Sequence, residues 1–336
     1  MNSKRVTMRD VAAEAGVAPM TVSYTYTRPT RVAAATRDRV LAAAARLGYA
    51  GPDPVARSLR NGATRNLGVI LGERLNYAFE DPQAARFLAG VSQVCVDNRL
   101  GLVLIPSTGN SDDVERVREA AVDGFVLWTT DAADPVLDAV IVTGRPAAIQ
   151  GGPDVDGIQI VAADDREAAR AVAGHMLAGA VSPLILSHPF DRERWTGLTR
   201  GPSAGVAFPV TRDRLAGFRD AVEQSGGDWA ETPVAVAARN TREDGRRTIE
   251  AALSGLDADE QPDVVIAMSD QLAAGARDAL GASVRISGWD DSETAQVLGF
   301  SSIRQSLYDQ GVACASIAAG LTATVAVPAW SLVRRG

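Results

Sequence analysis

Several residue types are scarce, and each scarcity excludes a class of protein. There are two cysteines, Cys95 and Cys314, too few for a disulfide scaffold or a four-cysteine zinc site. His175 and His188 are the only histidines, which argues against a multi-histidine metal centre. Lysine occurs once, at Lys4, so the remaining 33 of 34 basic side chains are arginine. No run of 18 uncharged apolar residues exists, so no ordinary membrane span is expected. The stretch Met1 to Asp10 is polar and charged, without the apolar core of a secretory signal. No nucleophile, base and acid stand at a recognisable catalytic spacing. Gly201-Pro202-Ser203-Ala204-Gly205 is rich in glycine, but no strand-to-helix pattern frames it as a phosphate loop. The simplest setting is the reducing cytoplasm, with neither cofactor nor metal called for.

What is present is an ordinary globular composition, 46% hydrophobic and 22% charged over 336 residues, a length that suggests about two domains. The net charge of −7 hides an asymmetry. Residues 1–65 carry 11 basic and four acidic side chains, net +7, whereas the remaining 271 carry 23 and 37, net −14. A basic head on an acidic body is a footprint for a polyanion partner, although charge alone leaves a merely solvated face open.

The basic head has its own pattern. Thr7-Met8-Arg9-Asp10 reads as a capping box, and Met8, Val11, Ala12 and Ala15 follow at helical spacing. Gly16 supplies a break. A second helix can start at Pro19, where a missing N–H is tolerated, and run to about Tyr26. A third covers roughly Thr36 to Leu47 and stops at Gly48. Helix, glycine turn, short helix, loop and helix make a helix-turn-helix unit, which lays its second helix in the DNA major groove. An unliganded three-helix bundle is the alternative. Ala50-Gly51-Pro52-Asp53-Pro54 is a linker, and Asp53 can cap a short helix from Pro54 with Val55 and Leu59 on one face.

From Asn66 onward, short apolar runs alternate with helical stretches, in two series that divide near Asp164. Such alternation implies parallel sheets covered on both faces, and two series imply two lobes. In these folds ligands sit at the carboxyl ends of strands, often between lobes. The helix carrying Arg214 is expected to begin at Asp213. Cys95 and Cys314 are expected on apolar helical faces, as small buried residues. His175 falls in a helix, as a packed or surface side chain. His188 follows a strand, where it either packs or reaches the cleft.

The run Thr7 to Val17, followed by Met20-Thr21-Val22-Ser23, resembles the headpiece of the LacI/GalR family of bacterial transcription regulators. Leu47-Gly48-Tyr49 and Pro54-Val55-Ala56-Arg57-Ser58-Leu59 fit its third helix and hinge helix, and the body resembles its periplasmic-binding-protein-like core. The fold class implied is an all-α helix-turn-helix headpiece (1–49), a linker and hinge helix (50–65), and a bilobal α/β core with parallel sheets (66–336). The N-lobe would take about 66–163 and 304–326, and the C-lobe about 164–303 and 327–336.

The resemblance also assigns roles. Pro19, Met20 and Tyr24 would face base edges, a set unlike the family's common polar readers; Thr21, Ser23 and Arg31 would meet phosphates, and Thr7 would be a further DNA contact. Ala56 and Leu59 would belong to the hinge helix, with Leu59 wedged into the minor groove. Ala18 and Ala33 stand where the family often has a serine cap. In the cleft, Arg214 opening its helix would hold hydroxyls or a carboxylate, Asp290 would accept from hydroxyls, and Ser269 would leave room for a bulkier ligand or a water. Tyr77 and Phe79 would form an aromatic wall, with Leu307 opposite. Against these stand a helix-terminal ion pair for Arg214, a capping or hinge role for Asp290, and plain core for Tyr77 and Phe79. The implied protein is a homodimeric, ligand-responsive regulator, acting as a repressor on a pseudo-palindromic double-stranded DNA operator. Its effector would be a small molecule, a sugar or else a nucleoside or phosphorylated sugar. A solute-binding protein and an α/β enzyme with an appended helical domain are the other readings.

Overall fold

The computed structural model describes residues 6–51, 62–71, 79, 81–202, 204–324, 326 and 328–335. The chain divides into two compact units, residues 1–64 and 65–336.

The first unit holds helices α1 (Met8–Ala15), α2 (Pro19–Thr27) and α3 (Ala34–Leu47). Thr7 and Asp10 close a reciprocal capping box at the start of α1. Gly16 and Gly48 end α1 and α3 at φ +65° and +70°, the left-handed conformation that glycine adopts without steric cost. Neither Ala18 nor Ala33 supplies a side-chain cap to the helix it precedes. Val11, Ala12, Val22, Val40, Ala43 and Ala44 form the buried core, and Tyr26 meets Tyr49 edge-on at 6.1 Å. So small a core leaves little margin of stability.

The second unit contains two sheets. The first is built from β1 (Asn66–Leu71), β2 (Gly101–Pro106), β3 (Gly124–Leu127), β4 (Ala147–Gln150) and β5 (Gln159–Val161). Its order is β2-β1-β3-β4-β5, parallel throughout. Helices α4 (Pro82–Asp97), α5 (Asp112–Glu119) and α6 (Pro135–Val142) accompany it. The second sheet is built from β6 (Pro183–Ser187), β7 (Gly197–Arg200), β8 (Pro233–Val236), β9 (Val264–Ala267), β10 (Arg285–Trp289), β11 (Ser301–Arg304) and β12 (Ser331–Val333). Its order is β12-β11-β10-β9-β6-β8-β7, with only the two edge strands antiparallel to their neighbours. Helices α7 (Asp165–Leu177), α8 (Pro209–Gln224), α9 (Arg242–Gly255), α10 (Asp270–Leu280) and α11 (Glu293–Leu298) belong to this lobe.

The chain changes lobe between β5 and α7, and again just after β11, because helix α12 (Leu307–Ala318) packs in the core of the first lobe. Gly90 and Gly311 set the contact between α4 and α12: a Cβ on either would lie 2.0 Å or 2.2 Å from the facing carbonyl oxygen. The chain returns to the second sheet between Ala318 and Ser331; Val327, where that crossing is expected, lies outside the described residues. Cys95 and Cys314 are buried thiols.

Several elements differ from the sequence reading. Helix α8 begins at Pro209 rather than Asp213, since proline at the first helical position presets φ and has no N–H to satisfy. The helix from Asp112, which the sequence extends to Val122, ends at Glu119. A strand, β7, does lead into the Gly201 loop, but it is an antiparallel edge strand. No described helix is long and apolar enough to cross a membrane.

Candidate functional site

In the first unit, α2 offers its N-terminal end to solvent. Pro19 is exposed, Met20 is 60% exposed, and Thr21 and Tyr24 are half-buried. Arg31 and Arg28 lie exposed beyond the helix, and the Arg28 guanidinium stands 5.9 Å from the Tyr24 ring centre, a cation–π contact that sequence reading missed. Two expected DNA contacts need correction. Ser23 is buried, facing the unit's interior rather than presenting its hydroxyl as Thr21 does. The Thr7 hydroxyl donates to Asp10 at 2.7 Å, so it fixes the start of α1 instead of standing free. Ala56 and Leu59 lie outside the described residues. A basic unit with an apolar-tipped helix end on its surface suits the major groove, where Met20 can meet a thymine methyl but cannot make the bidentate guanine contact of arginine.

In the second unit, the carboxyl ends of strands from both lobes surround one cleft. The first lobe contributes Asp81, Gln83, Trp128, Thr129 and Gln150; the second contributes His188, Pro189, Arg194, Phe208, Val210, Thr211, Arg214, Asn240 and Asp290; Gln305 and Leu307 come from the second crossing. The cavity volume is about 100 Å³, several times the ~10–15 Å³ that admits one water.

Arg214 lies in the second turn of α8 and is 6% exposed. Its Nε donates to Asp165 Oδ1 at 2.8 Å and its Nη1 to the Met268 carbonyl at 2.7 Å. The guanidinium lies 3.8 Å from the Trp289 ring centre. Both readings of this residue therefore meet: it is ion-paired, and it lines the cleft as a fixed, largely neutralised donor. Asp290 follows β10 at φ +101° and Asp291 at +48°, a strained pair for non-glycine residues. The turn is strapped down from several sides. Asp270 accepts from the Ser292 N–H at 2.6 Å and the Ser302 hydroxyl at 2.8 Å, and Asp291 accepts from Arg304 and Arg335. Burial, and then the nearby Asp270 carboxylate, push Asp290 up to about 7, against the pull of Arg214 and of its bond from Gln305. Burial likewise raises Asp270 to about 6. His188 is pushed down to about 3, by burial first and the Arg214 charge second, so it is neutral at physiological pH. Two buried polar atoms of the cleft, Thr129 Oγ1 and His188 Nε2, have no partner among the described residues. Atoms of this kind cost free energy until something bonds to them.

Other expectations shift. Ser269 does not open space for a ligand: it is 1% exposed and caps α10, accepting from the Leu272 N–H at 3.1 Å and donating to Asn240 Oδ1. Asn240, unnoticed in the sequence, lines the cleft instead. Phe79 is 66% exposed and not part of the lining, because the aromatic surface comes from Trp128, edge-on to Phe87 at 4.9 Å, and from Phe208. Tyr77 lies outside the described residues. Leu307 lines the cleft while anchoring α12 in the first lobe. Trp128 follows directly on β3 and Gln150 ends β4, a positional signal that would have found them as it did His188 after β6. No group of three or more metal-ligating side chains occurs among the described residues.

The lobes also touch. Arg192 Nη2, beyond β6, donates to Thr130 Oγ1 at 2.7 Å and to the Asp134 carboxylate of the first lobe. Asn240 Nδ2 donates to Asp81 Oδ2 at 3.3 Å.

Comparison with known proteins follows the same division. The family model described as bacterial regulatory proteins of the lacI family matches residues 7–51. The model for periplasmic binding proteins and the sugar-binding domain of the LacI family matches residues 65–326. An HTH-type transcriptional regulator of Mycobacterium tuberculosis is 34% identical over 92% of this chain and 89% of its own. A LacI-family regulator from Corynebacterium glutamicum has a crystal structure that superposes with a TM-score of 0.73, at 27% identity and 99% coverage of both chains. The Lac repressor dimer, solved bound to operator and the anti-inducer ONPF, gives a TM-score of 0.75 at 22% identity, covering 99% of this chain and 98% of that one.

Proposed function

The chain belongs to the LacI family of bacterial regulatory proteins, and from that premise we propose that it is a homodimeric repressor acting in the cytoplasm. Residues 7–51 read a pseudo-palindromic operator, with two symmetric headpieces on two half-sites. Pro19, Met20 and Tyr24 face the bases; Thr21, Arg28 and Arg31 hold phosphates. Ala56 and Leu59, in the hinge, contact the minor groove. The effector occupies the cleft between the lobes and is a neutral, hydroxyl-rich molecule, a sugar in the first instance.

The observation that carries the effector reading is the cleft's inventory of buried hydrogen-bonding groups awaiting a partner. Thr129 Oγ1 and His188 Nε2 are unpartnered among the described residues, Asp290 offers an acceptor, and Arg214 presents a guanidinium stacked on Trp289. Arg214 is already paired with Asp165, and the other lining arginine, Arg194, shares the cleft with Asp81 and Asp290, so the cleft offers little net positive charge to a phosphate, which favours a neutral sugar over a phosphorylated one. Binding there selects one arrangement of the lobes, and DNA affinity changes by the difference in binding energy between arrangements.

The test is a gel shift on the DNA upstream of the protein's own coding sequence, with a chain starting at Asn66 as control and a panel of sugars and nucleosides added in turn. Binding by the full chain alone, steeply weakened by salt and altered by one compound, is the expected result. Equal retention of DNA by the shortened chain, or indifference to every compound that raises the protein's melting temperature, overturns the reading. A solute-binding protein or an enzyme gives no shift with either chain.

A further inference from the structure

Four side chains join the two lobes through the floor of the cleft. Gln150 ends β4 in the first lobe and donates from Nε2 to Gln310 Oε1 at 3.0 Å. Gln310, on α12, donates from Nε2 to Gln305 Oε1 at 3.1 Å. Gln305, at the crossing between lobes, donates from Nε2 to Asp290 Oδ1 at 2.9 Å. Gln310 is 1% exposed and Gln150 7%, while Gln150, Gln305 and Asp290 all line the cavity.

The direction of this chain is not free. When Asp290 is ionised, its carboxylate can only accept, so Gln305 then turns its amide N–H toward Asp290 and its carbonyl toward Gln310. The same constraint passes to Gln310 and then to Gln150. Reversing any one amide sets two donors or two acceptors face to face in the interior, where an unmade hydrogen bond is costly. Gln150 therefore spends an N–H inside the relay and keeps its carbonyl oxygen outside it, on a residue that lines the cleft.

We propose that Gln305 and Gln310 are specificity-determining positioning residues, which through Gln150 present the cleft with an acceptor at each end of the relay and so select a neutral polyol. A polyol can donate one hydroxyl to each end, whereas an ether, a methylated hydroxyl or an ionised phosphate oxygen has no proton to give. The inference rests on the cleft being the effector site. Neither glutamine of the pair bonds to Arg214, which is held by Asp165 and Met268, so their effect is on which molecule is chosen.

The experiment has two arms on the full-length chain. In the first, glutamine side-chain amides are labelled with ¹⁵N and followed by NMR without added compound. Slow exchange of the Gln150, Gln305 and Gln310 signals is expected, with the Gln150 signal displaced in Asp290→Asn, three links away, and in Gln310→Met. Gln305→Met serves if Gln310→Met does not fold. A Gln150 signal unmoved by Asp290→Asn overturns the relay. In the second arm, thermal shifts are measured with D-glucose, D-galactose, cellobiose and adenosine, each beside its O-methyl or phosphate derivative. The wild type is expected to favour a parent compound at least tenfold, and Gln310→Met to bind that parent while losing the preference. Unchanged discrimination in Gln310→Met overturns the proposal. If no parent compound shifts the wild type, the polyol reading and its selectivity fall together, while the amide signals still report whether the relay exists.

Discussion

Arg214 is worth more to this protein than a ligand contact. Its partner Asp165 is as deeply buried as the arginine, and deleting one member of a buried pair strands the other, typically at ~3–5 kcal/mol. At roughly 2–4 °C per kcal/mol for a domain of this size, Arg214→Ala should lower the melting temperature by on the order of 10 °C, measured by scanning calorimetry. Arg214→Lys keeps a charge beside Asp165 but loses the planar fork and most of the stacking on Trp289. It should melt closer to wild type and still lose any sugar-induced shift. The acid Asp290 makes a separate prediction. Its folded value of about 7 stands above the ordinary ~3.9 of an aspartate. The folded state therefore holds a proton that the unfolded chain has released, and stability rises as pH falls through 7 toward 4. His188 has the opposite sign: with a folded value of about 3, it costs stability as pH falls below the unfolded histidine value of ~6.5. Between pH 8 and 6.5 only Asp290 of the two contributes appreciably. The melting temperature of the ligand-free chain should rise across that interval, and Asp290→Asn should reduce the rise.

At the scale of elements, legibility followed the strength of local chemistry. Helix α1 could be read to the residue, because Thr7, Asp10 and Gly16 form its caps by side chain and by backbone. The central strands were equally plain as short apolar runs, except β11, whose Ser301–Arg304 holds two serines and one apolar residue. Helix α6 was not, because Pro135–Val142 has the sequence PVLDAVIV, whose β-branched residues show no helical period; Asp134 caps it with a bond to Val136 N–H, and packing does the rest. The edge strands β5, β7 and β12 are three or four residues long, and pairing rather than propensity makes them strands. The cleft was half legible. Arg214, Asp290 and Leu307 were found by resemblance, Trp128 and Gln150 carried only the signal of a strand's carboxyl end, and Asn240 belongs to the cleft because distant segments of chain fold toward each other. The uncapped helices give a prediction of their own. Ala18 and Ala33 leave the N-termini of α2 and α3 without a side-chain acceptor, and a serine there should stabilise each helix by about 1 kcal/mol. Ala18→Ser and Ala33→Ser should each slow amide exchange across residues 7–49 of the DNA-free protein about fivefold, leaving exchange in the second unit unchanged.

For the molecule as a whole, the question is what holds the two lobes around the cleft. Among the described residues, three sets of hydrogen bonds do so: the Gln150-to-Asp290 relay, the Asn240–Asp81 bond, and Arg192 on Thr130 and Asp134. The last can be cut most cleanly. Without Arg192, Asp134 still accepts from the Thr130 hydroxyl at 2.6 Å and the Val136 N–H at 3.1 Å, so its buried carboxylate is not stranded and the fold should persist. The closed arrangement loses a charge-assisted bond that an open one never had. When only the closed fraction binds, apparent affinity falls in proportion to that fraction, and a loss of about 1.4 kcal/mol is a factor of ten. Arg192→Met should therefore keep its helical content and melt within a few degrees of wild type. It should show a larger radius of gyration in solution scattering and bind its best sugar roughly tenfold more weakly. Because linkage is reciprocal, the concentration of that sugar needed to alter DNA binding should rise by the same factor. A variant with the wild-type radius and the wild-type sugar affinity would assign closure to the relay and Asn240 alone.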